Sequence, residues 1–298
     1  MGLLDAIGNT PLFELSKLPG VNNNVKIYAK AEFLNLSGSV KDRAAKAMIL
    51  DGIRSGKLAK DKTIIDATSG NTGIAYSMIG AAMGYKVKLC MPANVTPERK
   101  KLMKAYGAEI IETDPLDGID GAYLKTRKIV RENQSEYFYP DQYSNDENWK
   151  AHYNTTAVEI LRQTENKITH FIAGTGTSGT FMGCTRRFKE YCSGIKCFTM
   201  TPDSPFHGIE GVKHSSAVLR SGFFDDSIAD GCISITTEQA YEMTRTLARI
   251  EGIFAGISSG ANVAAALKIA ENAPPNSIIV TVLCDSGCRY LSGSVWGE

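Results

Sequence analysis

Residues 63–91 read TIIDATSGNTGIAYSMIGAAMGYKVKLCM. The opening TIIDA, Thr63 to Ala67, is a short β-branched run of the kind that forms a buried strand. TSGNTG is turn chemistry, Ile74 to Met83 has the length and composition of a helix, and Lys86 to Met91 is a second strand. Strand, turn, helix and strand in that order make a βαβ unit, whose parallel strands need helices on both faces of their sheet. The alternation continues outward. A helix from Pro97 to Tyr106 has Pro97 at its first position and Gly107 just past its end, followed by a strand at Glu109 to Glu112 and a helix at Gly121 to Asn133. The second half repeats the pattern. Strands fall at Ile168 to Ala173, Lys196 to Met200 and Ile278 to Leu283, and helices at Phe181 to Tyr191, Thr237 to Glu251 and Ala261 to Ala270.

The sequence therefore predicts an α/β fold of two open, mostly parallel sheets flanked by helices, with ligands outside the carboxyl ends of the strands. The irregular stretch YPDQYSNDENWKAHYN, Tyr139 to Asn154, is the expected boundary between the two lobes.

The 298 residues are 43% hydrophobic and 22% charged, with a formal net charge of +1. No global field draws such a chain to nucleic acid or an acidic membrane, and no run approaches the roughly 18 apolar residues of a membrane span. Expected partners are small molecules or copies of the chain itself. The opening MGLLDAIGNTPLFELSKL has no basic segment leading into a long apolar one, which predicts a cytoplasmic protein. Seven cysteines without a C-x-x-C pair argue against a disulfide framework or a zinc knuckle. Four histidines without metal spacing argue against a metal site.

Two glycine turns lie at strand ends. Gly174 to Gly179 matches G-x-G-x-x-G and precedes Thr180, so backbone amides, hydroxyls and a helix start converge on a place for an anion, a phosphate above all. The glycines leave open a dinucleotide pyrophosphate, with Asp203 ending the next strand, and a single phosphate monoester. TSGNTG sets Thr68, Ser69, Asn71 and Thr72 at a second helix start, a nest suited to a carboxylate. In SGSVKDRAAKAMI, Ser37 to Ile49, Lys41 opens a helix whose Ala44, Ala45, Met48 and Ile49 share one stripe. The partial positive charge of a helix start disfavours a cation there by about 0.3–1 kcal/mol and biases the amine toward its neutral, nucleophilic form. The rival reading is an exposed lysine balanced by Asp42. A Schiff-base lysine, a carboxylate site, a phosphate cup and a ring-nitrogen partner on CDSG, Cys284 to Gly287, are together what a pyridoxal phosphate enzyme acting on an amino acid requires.

NLSGSVKDRA at Asn35 to Ala44, TSGNTG, GTGTSGT, EGIFAGISSGAN at Glu251 to Asn262, CDSGCRYLS and the opening GNTPL at Gly8 to Leu12 resemble the cysteine synthase (O-acetylserine sulfhydrylase) and cystathionine β-synthase family, in order and over nearly the whole chain. The resemblance implies pyridoxal 5'-phosphate as cofactor, fold type II (tryptophan synthase β-like), and a homodimer. It also implies a smaller, mobile lobe at 36–145 and a larger one at 146–298, with 1–35 packing partly on the latter. Carried over by position, it makes Lys41 the Schiff-base lysine and proton shuttle at Cα, and Asn71 the partner of the cofactor's ring hydroxyl. Gly176, Thr177, Ser178, Gly179 and Thr180 would hold the phosphate, and Ser286 would face the pyridine nitrogen. Thr68, Ser69 and Thr72 would hold the substrate carboxylate with Gln142 of DQYSNDEN. Asp285 is the rival nitrogen partner when the residues are read without the family.

The implied reaction is β-replacement, with O-acetylserine and sulfide giving cysteine and acetate. The nearest alternative takes cysteine or serine first and water or a thiol second, as a β-lyase or a cystathionine- or lanthionine-forming synthase releasing hydrogen sulfide. A nicotinamide-dependent oxidoreductase would use only Gly174 to Gly179 and Asp203. Three departures from the family pattern stand out: Leu36 where proline is usual, Ser178 where glycine is usual, and the segment Ser204 to Asp226, where the second substrate is usually chosen. His207, Glu210 and Lys213 stand in that segment, and Glu210 and Asp230 are the acids available to activate a water.

Overall fold

The structure is a computed structural model and describes residues 2–19, 24–68, 70–214 and 221–297. Its strands are β1 (Leu12–Glu14), β2 (Val25–Ala31), β3 (Thr63–Ala67), β4 (Val87–Pro92), β5 (Glu109–Thr113), β6 (Tyr137–Phe138), β7 (His170–Gly174), β8 (Lys196–Pro202), β9 (Gly231–Ile235) and β10 (Ser277–Leu283). Its helices are α1 (Lys41–Arg54), α2 (Asn71–Met83), α3 (Pro97–Ala105), α4 (Gly118–Glu132), α5 (Glu147–Ala151), α6 (Ala157–Gln163), α7 (Gly179–Tyr191), α8 (Thr237–Thr246) and α9 (Ile257–Ala270).

Residues 63–91 form the expected unit, β3, α2 and β4, with β3 and β4 parallel. Helix α2 is buried all round from Thr72 to Gly80 because it is built of small and apolar residues, the composition of a core helix. Its glycines permit the close packing. A Cβ at Gly80 would stand 2.4 Å from Val87 Cγ2 on β4.

Two sheets result. One has four strands in the order β5-β4-β3-β6, all parallel, and the other six in the order β1-β2-β10-β7-β8-β9, parallel except for the β1–β2 pair. The Lys41 helix packs its Ala44, Ala45, Met48 and Ile49 stripe into the core around β3 and α2, and all four are buried. The other sheet is covered on one face by α9, with Val263, Ala265 and Ala266 against Ile27 and Ile279, and on the other by α6 and α7, with Phe181 and Phe188 against Phe171 and Val280.

The short strands β1, β6 and β9 are not among those the sequence predicts, and three further departures each have a physical reason. Tyr139 to Asn154 is not irregular throughout. From Glu147 it is helical, α5 running through a π turn at His152–Thr156 into α6. Asn148 and His152 are buried there, so buried polar residues hide the apolar periodicity. The expected helix from Thr237 to Glu251 is α-helical only to Thr246 and finishes as a π turn at Leu247–Glu251. The strand β2, VKIYAKA, has no apolar run that marks it in the sequence, because two lysines interrupt it. Lys30 is nonetheless fully buried, its charge met by Glu159 at 2.7 Å.

Candidate functional site

The carboxyl ends of β3, β7 and β10 converge on one cleft, and the backbone itself brings Lys41 there. Ser39 bridges to Asp285, and Val40 N donates to Cys284 O at 2.8 Å, so the start of α1 is stitched to the end of β10. The cleft is lined by Lys41, Asn71, the glycine loop from Gly176 to Thr180, Ser258, Asn262 and Cys284, among others.

Burial holds the Lys41 amine below the ordinary lysine value, against the opposing pull of Cys284 and Asp285. The neutral bias expected from the helix start therefore has desolvation as its main cause. The rival pairing with Asp42 is absent. Asp42 is buried, accepts from Ser37 N at 2.6 Å and from the Ser37 hydroxyl, and burial pushes its carboxyl up to about 6 against those bonds. Burial likewise pushes the Cys284 thiol up to about 11.

The glycine loop joins β7 to α7 and aims the positive end of that helix at the cleft. Gly176 and Gly179 are required by close approach. A Cβ at 176 would stand 2.2 Å from Gly211 O, and one at 179 would stand 2.0 Å from Asn148 Oδ1. Ser178 has φ 65°, so a side chain there sits in the left-handed region at a cost of about 1–2 kcal/mol. Asn148 of α5 ties the loop to the segment after β6, donating from Nδ2 to Gln142 O at 2.7 Å and to Thr177 Oγ1 at 3.1 Å. Thr180 Oγ1 lies 3.4 Å from His152 Nε2, and burial keeps that imidazole neutral, well below the usual histidine range.

The loop after β3 is organised by its own side chains. Thr68 Oγ1 accepts from Gly70 N at 3.0 Å and Gly73 N at 3.1 Å, and Thr72 donates to Gln142 Oε1 at 2.8 Å. Gln142 Nε2 in turn donates to Ala67 O at 2.6 Å, so Thr68, Thr72 and Gln142 form one cluster beside Asn71. Ser69, expected in the same nest, lies outside the described residues.

Ser286 is not brought into the cleft lining. Its Oγ accepts from Cys288 N at 3.2 Å and caps the short turn at Gly287–Tyr290. Of the serines in CDSG and GISSGAN, the one that lines the cleft is Ser258, at the start of α9. Asn262, one turn further along, donates to Val282 O at 2.8 Å and accepts from Gly174 N at 2.8 Å, bracing the ends of β10 and β7 against each other. Both belong to GISSGAN, whose family-like string was the available signal.

Of the acids weighed for water activation, Asp230 is at the far end of the sheet. It accepts from Cys197 N at 2.8 Å near the start of β8 and pairs with Lys189 at 3.1 Å. Glu210 pairs with Arg99 of α3. His207 Nδ1 accepts from Ile209 N at 3.1 Å within its own turn. Lys213 donates from its backbone to Thr175 O at 2.8 Å, its ammonium lies 4.4 Å from the Tyr143 ring centroid, and burial brings it down to about 8.

Residues 3–285 match the family model described as pyridoxal-phosphate dependent enzyme. A cysteine synthase of Aquifex aeolicus is 47% identical over 99% of this chain and 92% of its own length. Among solved structures, an O-acetylserine dependent cystathionine beta-synthase from Helicobacter pylori superposes with a TM-score of 0.94 at 35% identity, covering 100% of this chain and 99% of that one. A hydrogen sulfide-producing enzyme from Fusobacterium nucleatum gives 0.92 at 40% identity, covering 97% and 99%.

Proposed function

Because the chain belongs to the family of pyridoxal-phosphate dependent enzymes, we propose that it carries out β-replacement on an amino acid, converting O-acetylserine and sulfide into cysteine and acetate. The observation that carries this reading is the Lys41 amine, held by burial below its ordinary value in a cleft that also holds Asn71 and the glycine loop. The bound cofactor supplies an electron sink for negative charge at the substrate Cα. Lys41 anchors it and then moves the Cα proton. Gly176, Thr177, Ser178, Gly179 and Thr180 hold its phosphate at the start of α7. Asn71 meets the ring hydroxyl, and Thr68, Ser69, Thr72 and Gln142 orient the substrate carboxylate. Cofactor dependence removes the nicotinamide reading of Gly174 to Gly179 and Asp203.

The test is an assay of the reconstituted protein with O-acetylserine and sulfide beside one with cysteine alone. Cysteine and acetate in equal amounts are expected from the first. Sulfide release from cysteine alone that exceeds the synthetic rate would replace this proposal with a lyase.

Ser258, not Ser286, is proposed as the hydroxyl at the ring nitrogen, since of the two Ser258 lines the cleft. Losing one hydrogen bond there lowers kcat/KM of Ser258→Ala about tenfold. Ser286→Ala stays within about twofold of wild type in the same steady-state assay, because its hydroxyl serves a local cap.

The lobe of residues 36–145 is proposed to close on residues 146–298 over the bound substrate, with 1–35 partly on the larger lobe. In support, the four-stranded sheet lies wholly between Thr63 and Phe138, and β1 and β2 belong to the six-stranded sheet. The reading extends to a cytoplasmic homodimer acting on a small amino acid and sulfide or a thiol. Among the described residues no helix is long and apolar enough to cross a membrane.

A further inference from the structure

Asp285 is a buried acid at the edge of the site to which the proposed reaction gives no part. Its Oδ2 accepts from Asn71 Nδ2 at 2.7 Å and from the Tyr290 hydroxyl at 2.7 Å. The Tyr290 oxygen accepts in turn from Arg99 Nη2 at 3.0 Å. The backbone of Asp285 is also held, bridged to Ser39 and accepting from Gly256 N at 2.9 Å. A Cβ at residue 256 would stand 2.1 Å from Asp285 Oδ1, so a glycine there is what leaves room for the carboxylate.

The chemistry of the contact is one-sided. A carboxylate oxygen only accepts, so only the NH₂ end of the Asn71 amide can face it; the flipped amide would set two lone-pair-bearing oxygens against each other. Asn71 Oδ1 is thereby turned away from Asp285, and it is buried without a protein partner on a residue that lines the cleft. We infer that Asp285 is a positioning residue that fixes the orientation in which Asn71 meets the cofactor ring. The inference rests on the proposal above that the ring hydroxyl contacts Asn71.

The experiment compares holoenzymes of the wild type, Asp285→Asn, Asn71→Ala and the double variant. Two quantities are read: the absorbance ratio of the bound cofactor's two tautomer bands, and the cofactor's dissociation constant. Asp285→Asn is expected to change the band ratio at least about twofold and to weaken cofactor binding about tenfold, the loss of a charge-assisted bond. Neither change recurs when Asp285 is replaced in the Asn71→Ala background. Equal changes in both backgrounds, or none in Asp285→Asn, overturn the positioning role. Asp285→Ser serves the same cycle if Asp285→Asn does not fold. If Asn71→Ala leaves bands and affinity at wild-type values, the Asn71 contact itself is refuted and the inference falls with it, so the two failures read differently.

Discussion

Lys41→Ala is expected to fold and to lose turnover by at least about 10³-fold, since it removes both the group that anchors the cofactor and the base at Cα. Alanine is the best helix former, and position 41 is the first residue of α1, so the helix survives the change. The stability of the cofactor-free protein gives the chemical claim an independent check. Burial lowers the Lys41 pKa, so the folded chain binds fewer protons there than the unfolded chain. A base lowered in this way makes the fold progressively less stable as pH falls below the unfolded value of about 10.4. Removing it should therefore make the cofactor-free variant more stable than wild type in urea at pH 7, by a margin that shrinks as pH rises toward that value. Wild-type turnover in the variant, or a cofactor recovered after reductive trapping on a peptide lacking Lys41, would sink the assignment.

The parts of this molecule legible from its sequence are those in which one residue's surroundings lie close to it along the chain. Thr63 to Met91 could be read because strand composition, turn residues and helix length all point the same way within one short stretch. The stripe of Ala44, Ala45, Met48 and Ile49 could be read from its helical period, and all four side chains are buried. Lys30 and Glu159 could not. Each is a charge whose burial is tolerated because partners arrive from far along the chain, Lys30 and Arg43 for Glu159 and Glu159 for Lys30, and nothing near β2 or α6 announces them. The same limit applies to Asn148 and His152, whose partners Gln142, Thr177, Thr156 and Thr180 define them better than their own neighbours do.

At the site the motifs located the cleft, but which serine enters it depends on how the chain turns after β10. The family-like strings CDSGCRYLS and GISSGAN each offer serines, and only the fold shows that Ser258 lines the cleft while Ser286 caps a turn. Asp230 failed as a candidate for the opposite reason. Its residue type suited the chemistry, but its strand begins at the wrong end of the sheet.

Arg43 carries the second large effect. Two residues beyond Lys41, its guanidinium is 2% exposed and lies 2.7 Å from both Glu32 Oε2 and Glu159 Oε1, in a cluster completed by Lys30 and Thr10. Arg43→Met removes one cation and leaves two buried carboxylates to share Lys30, a change expected to destabilise the fold by about 3–5 kcal/mol at pH 7.5. Acid should narrow that gap. Burial alone would raise the Glu159 carboxyl, but Arg43 and Lys30 outweigh it and hold it down to about 2 in the wild type. That stabilisation is fully present above the unfolded glutamate value of about 4.3 and is lost as pH falls through the folded value near 2. In Arg43→Met the cation that depressed the Glu159 carboxyl is gone, so protonating Glu159 relieves the variant at pH values where it still costs the wild type stability. Urea unfolding at pH 7.5 and pH 4.5 should show the difference between the two proteins shrinking on acidification. A loss below about 1 kcal/mol at pH 7.5, the level of an exposed pair, would mean that the cluster does not fix the start of α1. Because the same cluster anchors the helix that begins at Lys41, the variant should also release cofactor faster at urea concentrations that leave it folded, which links the buried charges to the reacting amine.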